Sequence, residues 1–412
     1  MRTVSVNGRD YRWPKSPLVV ICCDGSEPAY MEVAMAAGLM PNLERIIAKG
    51  ENLRGHSAIP SFTNPNNLSI VTGRPPAVHG ICGNYLIDPA TGQETMMNDP
   101  KWLRAPTIFA AFQKAGAKVA VVTAKDKLRL LLGKGLVFDG SAVAFSSEKA
   151  DKATLKDNGI ENPCALVGMA VPEVYSAELS EFVFAAGVKL LAGMRPDLMY
   201  LSTTDYVQHK YAPGSDGANR FYAMMDRYLG ELDAGGATIV IVADHGMKDK
   251  HRADGAPDVI YLQDLLDARF GKGKTKVILP ITDPYVVHHG ALGSFATVYA
   301  YGPDIEDVMI WIARQPGIDV VLDRKQGCAR FELPEDRMGD VIVISGGPAG
   351  SKVIGTSRDK HDLSGLNEPL RSHGGLTEQE IPVISNRKLR DLPAQLRNFD
   401  AFAIGCNNIV ES

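Results

Sequence analysis

The stretch LVVICCDGS, Leu18 to Ser26, decides how the rest of the chain is read. Apolar, largely β-branched residues run uninterrupted to Cys23 and then break at Asp24-Gly25, the pattern of a strand buried on both faces that ends in an acidic residue. An apolar-periodic segment from Glu32 to Lys49 follows, in which Met35, Leu39, Leu43, Ile46 and Ile47 fall where a helix covers a sheet. The same grammar recurs downstream. A helix over Thr107–Lys114 turns near Gly116 into a strand over Lys118–Thr123, with Lys125 and Lys127 just beyond it. After a polar stretch from Ser146 to Asn162, a helix over Ser176–Leu191 precedes the strand Asp197–Ser202 and then Asp205. A helix over Asn219–Leu232 leads through Gly235-Gly236 into Thr238–Ala243 and then Asp244. Strands that repeatedly exit onto acidic residues predict an α/β fold whose site lies beyond the carboxyl ends of a parallel sheet.

From 255 to 365 the pattern shifts to shorter strands, turns and two helices, one of them over Asp307–Arg314. This interval is expected to be a smaller α+β cap inserted into a core made of residues 1–254 and 366–412. The closing RKLRDLPAQLRNFDAFAIGC is expected to return a helix and a peripheral strand to that core. The 412 residues are 45% hydrophobic and 22% charged with a net charge of −4, a globular balance that excludes a disordered or coiled-coil chain. No basic block points to a nucleic-acid scaffold. No apolar run approaches the roughly 20 residues of a membrane span. The opening MRTVSVNGRDYRWPKSP lacks the apolar region of a secretion signal, so a cytoplasmic protein is expected. Six cysteines without a CxxC pair read as buried thiols, and neighbours Cys22 and Cys23 should point to opposite faces of their strand. Net charge does not fix oligomeric state, and a homodimer stays open.

The chemistry concentrates in four short motifs. In TTDYVQH, Asp205 and His209 share a face if the segment opens a helix. In ADHGM, Asp244 and His245 follow a strand, and Gly246 permits a tight turn that keeps imidazole near carboxylate. With Asp24 and His373 of RSHGG they supply six mixed oxygen and nitrogen donors, enough for two metal ions. Zinc leads, with manganese and iron also compatible. Such ions orient a substrate oxyanion and stabilise charge developing during displacement. A hydroxyl nucleophile is offered by Thr63 in SFTNPNN, and spacing leaves Thr72 in VTGR as an alternative. His79, His288 and His289 are alternative metal donors, and Arg74 and His251 are candidate supporting residues. The GKGKT run at Gly271–Thr275 is read as a turn of the cap, because Ala268 stands where a phosphate loop requires glycine.

Taken in order, Asp24, SFTNPNN, VTGRPPAVHG, Asp205-x3-His209, Asp244-His245-Gly246 and His373 resemble the alkaline phosphatase superfamily across most of the chain. The likeness is greatest to its phosphonoacetate hydrolase branch, with nucleotide pyrophosphatase/phosphodiesterases as near relatives. The resemblance implies a three-layer α/β/α core with a smaller cap and two zinc ions. One ion would be held by Asp205, His209 and His373, the other by Asp24, Asp244 and His245 beside Thr63. It also selects Thr63 over Thr72 as the nucleophile, which would form a phosphothreonine, and gives Asn84 a phosphoryl oxygen. Lys125 and Lys127, read as a strand-like i,i+2 pair, would clamp the carboxylate of phosphonoacetate or a related small phosphoryl substrate. If those lysines are solvated loop charges instead, a phosphodiester or phosphomonoester fits the same metal core. A noncatalytic metal-binding module is the reading from a different class.

Overall fold

The computed structural model describes residues 2–283, 290–347, 350–361, 363, 366 and 368–410. Its centre is a seven-stranded sheet in the order Glu51–His56, Glu380–Ser385, Thr238–Val242, Leu18–Cys22, Leu198–Ser202, Val119–Thr123 and Ala142–Ser146. Glu380–Ser385 runs antiparallel to both its neighbours, and the five strands beyond it pair in parallel. Those five are buried residue by residue, as their unbroken apolar runs require.

Strand alternation splits the core into two layers. Leu18, Val20, Val240 and Tyr200 face one apolar cluster, closed by the helices Thr63–Thr72, Ile108–Lys114 and Asp126–Leu132. Val19, Ile21, Ile239 and Leu201 face the other, closed by Pro28–Ala36, Pro41–Lys49, Glu178–Gly193 and Asp216–Ala234. Cys22 and Cys23 divide between the two clusters, and all six cysteines are free. The result is the expected three-layer α/β/α architecture of alkaline-phosphatase type.

A four-stranded antiparallel sheet, ordered Thr275–Ile278, Phe295–Ala300, Val341–Ser345 and Ile318–Asp323, lies between Thr238–Val242 and Glu380–Ser385 in the chain. Its Phe295, Val298 and Ile342 belong to the same apolar cluster as Val20 and Leu68. The inserted sheet therefore packs on the core rather than hanging from it. Among the described residues, no helix is long and apolar enough to cross a membrane.

Four expectations are corrected. The segment Glu32–Lys49 is not one helix: Gly38 at φ +72° and Pro41 divide it into Pro28–Ala36 and Pro41–Lys49. Among its described residues the inserted interval holds three longer helices rather than two: Leu262–Phe270, Ile305–Ala313 and Arg324–Phe331. The C-terminal segment forms only short helical turns over 398–408, and the closing strand is Glu380–Ser385, inside the sheet. Lys125 and Lys127 are not on a strand: Lys125 caps the helix Asp126–Leu132 and Lys127 lies in its first turn.

Candidate active site

Three neighbouring strands build the acidic end of the site. Val242, Cys22 and Ser202 lie in register across them, so the residues two or three beyond arrive side by side at the roughly 4.8 Å spacing of adjacent strands. These are Asp244, Asp24 and Asp205. Gly25 is obligatory here, because at φ +68° it turns the chain away and a Cβ on it would stand 2.9 Å from that of Asp205. Asp205 caps the helix Tyr206–Lys210, which carries His209 on its last turn. His373 follows the short strand Arg371–Ser372, paired with Lys248–Asp249 just after His245.

The donors converge. Asp24, Asp244 and His245 present ligand atoms within 4.8 Å of one another, and so do Asp205, His245 and His373. His209 joins through Asp205, its Nε2 lying 2.9 Å from Oδ2. The rings of His245 and His373 stack at 3.7 Å, so His245 stands between the two groups and belongs to both.

Each histidine is fixed by a backbone carbonyl. Nδ1 of His209 lies 2.8 Å from the Arg371 oxygen, that of His245 2.9 Å from Gly246, and that of His373 2.7 Å from Ser61. A carbonyl only accepts, so each Nδ1 is an N–H, and in the neutral ring, the form that binds a metal, Nε2 turns a lone pair into the site. Those lone pairs face carboxylates: His245 Nε2 is 3.3 Å from Asp24 Oδ1, and His373 Nε2 is 3.6 Å from Asp205 Oδ2. Asp24 Oδ1 is buried and receives no donor among the described residues. Acceptor against acceptor in a buried pocket is the arrangement a cation satisfies, and the donor set fits a dinuclear metal centre.

The electrostatics agree. Burial and the Asp205 and Asp244 charges push the Asp24 carboxyl well above its usual range, and burial raises Asp244. At Asp205 burial acts upward too, but His209, His373 and His245 outweigh it and hold the group well below that range. Burial, reinforced by His245, keeps His373 well below the usual imidazole value and hence neutral.

Thr63 opens the helix Thr63–Thr72, and its Oγ1 lies 3.3 Å from His245 Nε2, at the edge of the donor cluster. Thr72 sits at the other end of that helix, buried, with its hydroxyl donating to the Leu68 carbonyl. His79 is likewise buried away from the donors against Ser69 Oγ and the Ile81 N–H. The Nδ1 of His251 faces the Arg252 carbonyl, and the buried Nε of Arg74 has no hydrogen-bond partner among the described residues. His288 and His289 lie outside the described residues.

Asp24, Thr63, Asp205, His209 and His373 line a cavity of about 170 Å³ whose other walls include Asn84, Lys125, Lys127, Tyr175 and Asp283. Asn84 donates through Nδ2 to the Ile281 carbonyl at 3.3 Å, which ties this wall to the inserted segment. Lys125 reaches the Val174 carbonyl at 3.4 Å and lies over the Tyr175 ring. Lys127 pairs with Asp283 at 3.0 Å. Burial pushes the Lys125 ammonium below the usual lysine value despite Glu148, Asp205 and Asp24.

Asn67 is a supporting residue that the motif SFTNPNN contained but did not distinguish. Its Nδ2 donates to Asp244 Oδ2 and to the Thr63 carbonyl, both at 3.1 Å, while its Oδ1 accepts from Tyr200 and Ser202. One buried amide thus joins the Thr63 helix to an acidic donor. The only early signal was a polar residue on a helix that should be buried.

Comparison with known proteins places this arrangement. The phosphonoacetate hydrolase of Sinorhizobium meliloti 1021, solved with phosphonoacetate and with phosphonoformate, is 65% identical with 98% of each chain covered and a TM-score of 0.95. Murine ectonucleotide pyrophosphatase/phosphodiesterase 5 shares the fold, at 17% identity over 94% of each chain and a TM-score of 0.64. An uncharacterised pyrophosphatase/phosphodiesterase of Schizosaccharomyces pombe is 25% identical over 57% of this chain. The chain spans less than half the length of the curated relatives it matches. The type I phosphodiesterase / nucleotide pyrophosphatase family model matches residues 18–375. By that match, and by its likeness to the Sinorhizobium enzyme, the chain belongs to the type I phosphodiesterase / nucleotide pyrophosphatase family, on its phosphonoacetate hydrolase branch.

Proposed function

We propose that this metal-dependent hydrolase cleaves the carbon–phosphorus bond of phosphonoacetate with water, giving acetate and phosphate. The carrying observation is one small cavity lined both by metal donors with Thr63 and by two lysines. A molecule with a phosphoryl group at one end and a carboxylate at the other matches both. The cavity's roughly 170 Å³ is below the roughly 300–1,000 Å³ typical of sites for drug-sized ligands, which favours a small phosphonate over a nucleotide.

Asp205, His209 and His373 would hold one zinc ion and Asp24, Asp244 and His245 the other, with His245 close enough to serve either. Two such ions supply positive charge to the phosphoryl oxygens as displacement develops. The Thr63 hydroxyl gives up its proton, which is balanced by the proton taken up in forming acetate. Its Oγ attacks phosphorus from the start of its ten-residue helix, whose N-terminal dipole favours the anionic group. The new O–P bond forms as the P–C bond breaks, and the electron pair stays with carbon. Lys125 and Lys127 hold the carboxylate into which that charge delocalises, and protonation gives acetate. Water then attacks the phosphothreonine, which releases phosphate and restores the hydroxyl. The second N–H of the Asn84 amide is offered to a phosphoryl oxygen.

Incubation of metal-defined protein with phosphonoacetate, a phosphodiester and a phosphomonoester, with acetate and phosphate measured together, tests the reading. Equal release of both products from phosphonoacetate is expected. Turnover of the phosphodiester without phosphonoacetate cleavage would favour a nucleotide phosphodiesterase, and inactivity of the zinc-loaded protein toward all three a noncatalytic metal-binding module.

A further inference from the structure

Lys250 and Glu378 form an ion pair with no solvent exposure on either side chain. A buried pair seldom stabilises a fold more than apolar residues of the same shape would, so a complete one invites another explanation. This one is complete. The Lys250 ammonium spends its three hydrogens on Glu378 Oε1 at 2.9 Å, Ser294 Oγ at 2.9 Å and the Gly350 carbonyl at 2.5 Å. The Glu378 carboxylate also accepts from the Thr377 hydroxyl and, through Oε2, from the Gly375 N–H at 2.8 Å.

Its contacts lead to the metal donors from two directions. Gly375 is two residues past His373, and the Glu378 carbonyl accepts from the Gly246 N–H at 2.7 Å, one residue past His245. Ser294, on the inserted segment, donates its own N–H to the His373 carbonyl at 2.9 Å. From the opposite side Ser61 holds the same turn through the Gly374 and Gly375 carbonyls. Gly374, at φ +114°, leaves no room for adjustment, since a Cβ there would stand 2.3 Å from the Phe62 ring.

We propose that Lys250 and Glu378 are positioning residues for the dinuclear centre. They fix the backbone carrying His245 and His373, and through Ser294 and Gly350 they make that placement depend on the docked inserted segment. The pair thereby couples the inserted segment to ion affinity, whichever phosphoryl substrate the site turns over.

The test is ion binding, so it stands apart from the choice of substrate. Zinc affinity is measured by competition with a chromophoric chelator, cobalt(II) absorption reports donor geometry, and thermal unfolding of the metal-free protein reports the fold. In the apolar double variant Lys250→Met/Glu378→Leu, metal-free unfolding is expected close to the parent. Zinc should bind about 10–100-fold more weakly, as when residues supporting ligands are lost, with an altered cobalt spectrum. A folded double variant with parental affinity and spectrum overturns the proposal. Should that variant not fold, Glu378→Gln, which keeps the shape and an acceptor for Gly375, carries the same two outcomes. Ser294→Ala removes the side-chain link from the inserted segment to Lys250, together with a bond inside that segment from Ser294 Oγ to the Lys352 carbonyl, and a several-fold weaker affinity is expected. Loss in Glu378→Gln with parental affinity in Ser294→Ala would overturn the route through Ser294 and leave the Gly350 carbonyl as the link to the inserted segment.

Discussion

Asp24, Asp205 and Asp244 leave three adjacent parallel strands whose last residues are hydrogen-bonded in register, and all three are buried. The rest of the cavity lining includes Asn84, Lys125, Lys127 and Asp283, from a loop, the start of a helix and the inserted segment, and Lys127 is 39% exposed at its side chain. One wall is placed by sheet geometry alone. In the other, Lys125 also leaves the sheet, two residues past Thr123, which lies in register with Ser202, while Asn84 and Asp283 are placed by contacts between loops far apart in the chain. The first tolerates little change because any shift moves several donors together. The second can be altered one side chain at a time, so substrate choice can diverge there while the metal wall stays constant.

The largest break is expected at the junction of the walls. Thr63→Ala should lower phosphate release by about 10³-fold or more while zinc stoichiometry is retained, because the nucleophile is lost and the histidines are not. Unchanged turnover would remove Thr63 from the reaction. The recognition wall should respond differently. Lys125→Ala or Lys127→Ala should raise KM for phosphonoacetate about 10–100-fold, the range of a lost charge-assisted hydrogen bond, and leave an uncarboxylated phosphomonoester nearly unaffected. Equal losses on both substrates would mean that the lysines serve the phosphoryl end. A smaller effect is expected within the metal wall. Asn67→Ala strips one donor from Asp244, which keeps its bonds from the Gly25 and His245 N–H groups. Zinc affinity should fall about tenfold, whereas parental affinity would reduce Asn67 to a helix-packing role.

The same contrast explains what the sequence disclosed. Strand exits such as CCDGS and VADHG announce themselves because an apolar run must end where the sheet ends, so the acidic donors were legible one by one. The lysines were legible as residues but not as geometry: a strand alternation was read where the helix Asp126–Leu132 begins one residue after Lys125. Glu380–Ser385 carries Pro382, a residue that argues against an interior strand, yet the strand pairs on both sides, with Pro382 itself opposite only Arg54 of the edge strand. Asn67 and the Lys250–Glu378 pair were hidden for another reason. Asn67 meets Tyr200, Ser202 and Asp244, and Lys250 meets Glu378, across more than a hundred residues of chain, and no local pattern encodes such contacts.

The smallest expected effect separates the walls by pH. Burial lowers the Lys125 pKa below 10.5 although nearby carboxylates act to raise it. A lysine loses its positive charge as pH rises through its pKa, so attraction for a substrate carboxylate is full below that lowered value and fades above it. For phosphonoacetate, kcat/KM should therefore gain an alkaline limb that begins earlier than an exposed lysine would give. An uncarboxylated phosphomonoester should lack that limb. In Lys125→Arg the limb should move upward, because a guanidinium keeps its charge throughout this range. A limb shared by both substrates and unmoved by Lys125→Arg would instead assign the titration to the phosphoryl end, where the metal donors and Thr63 lie.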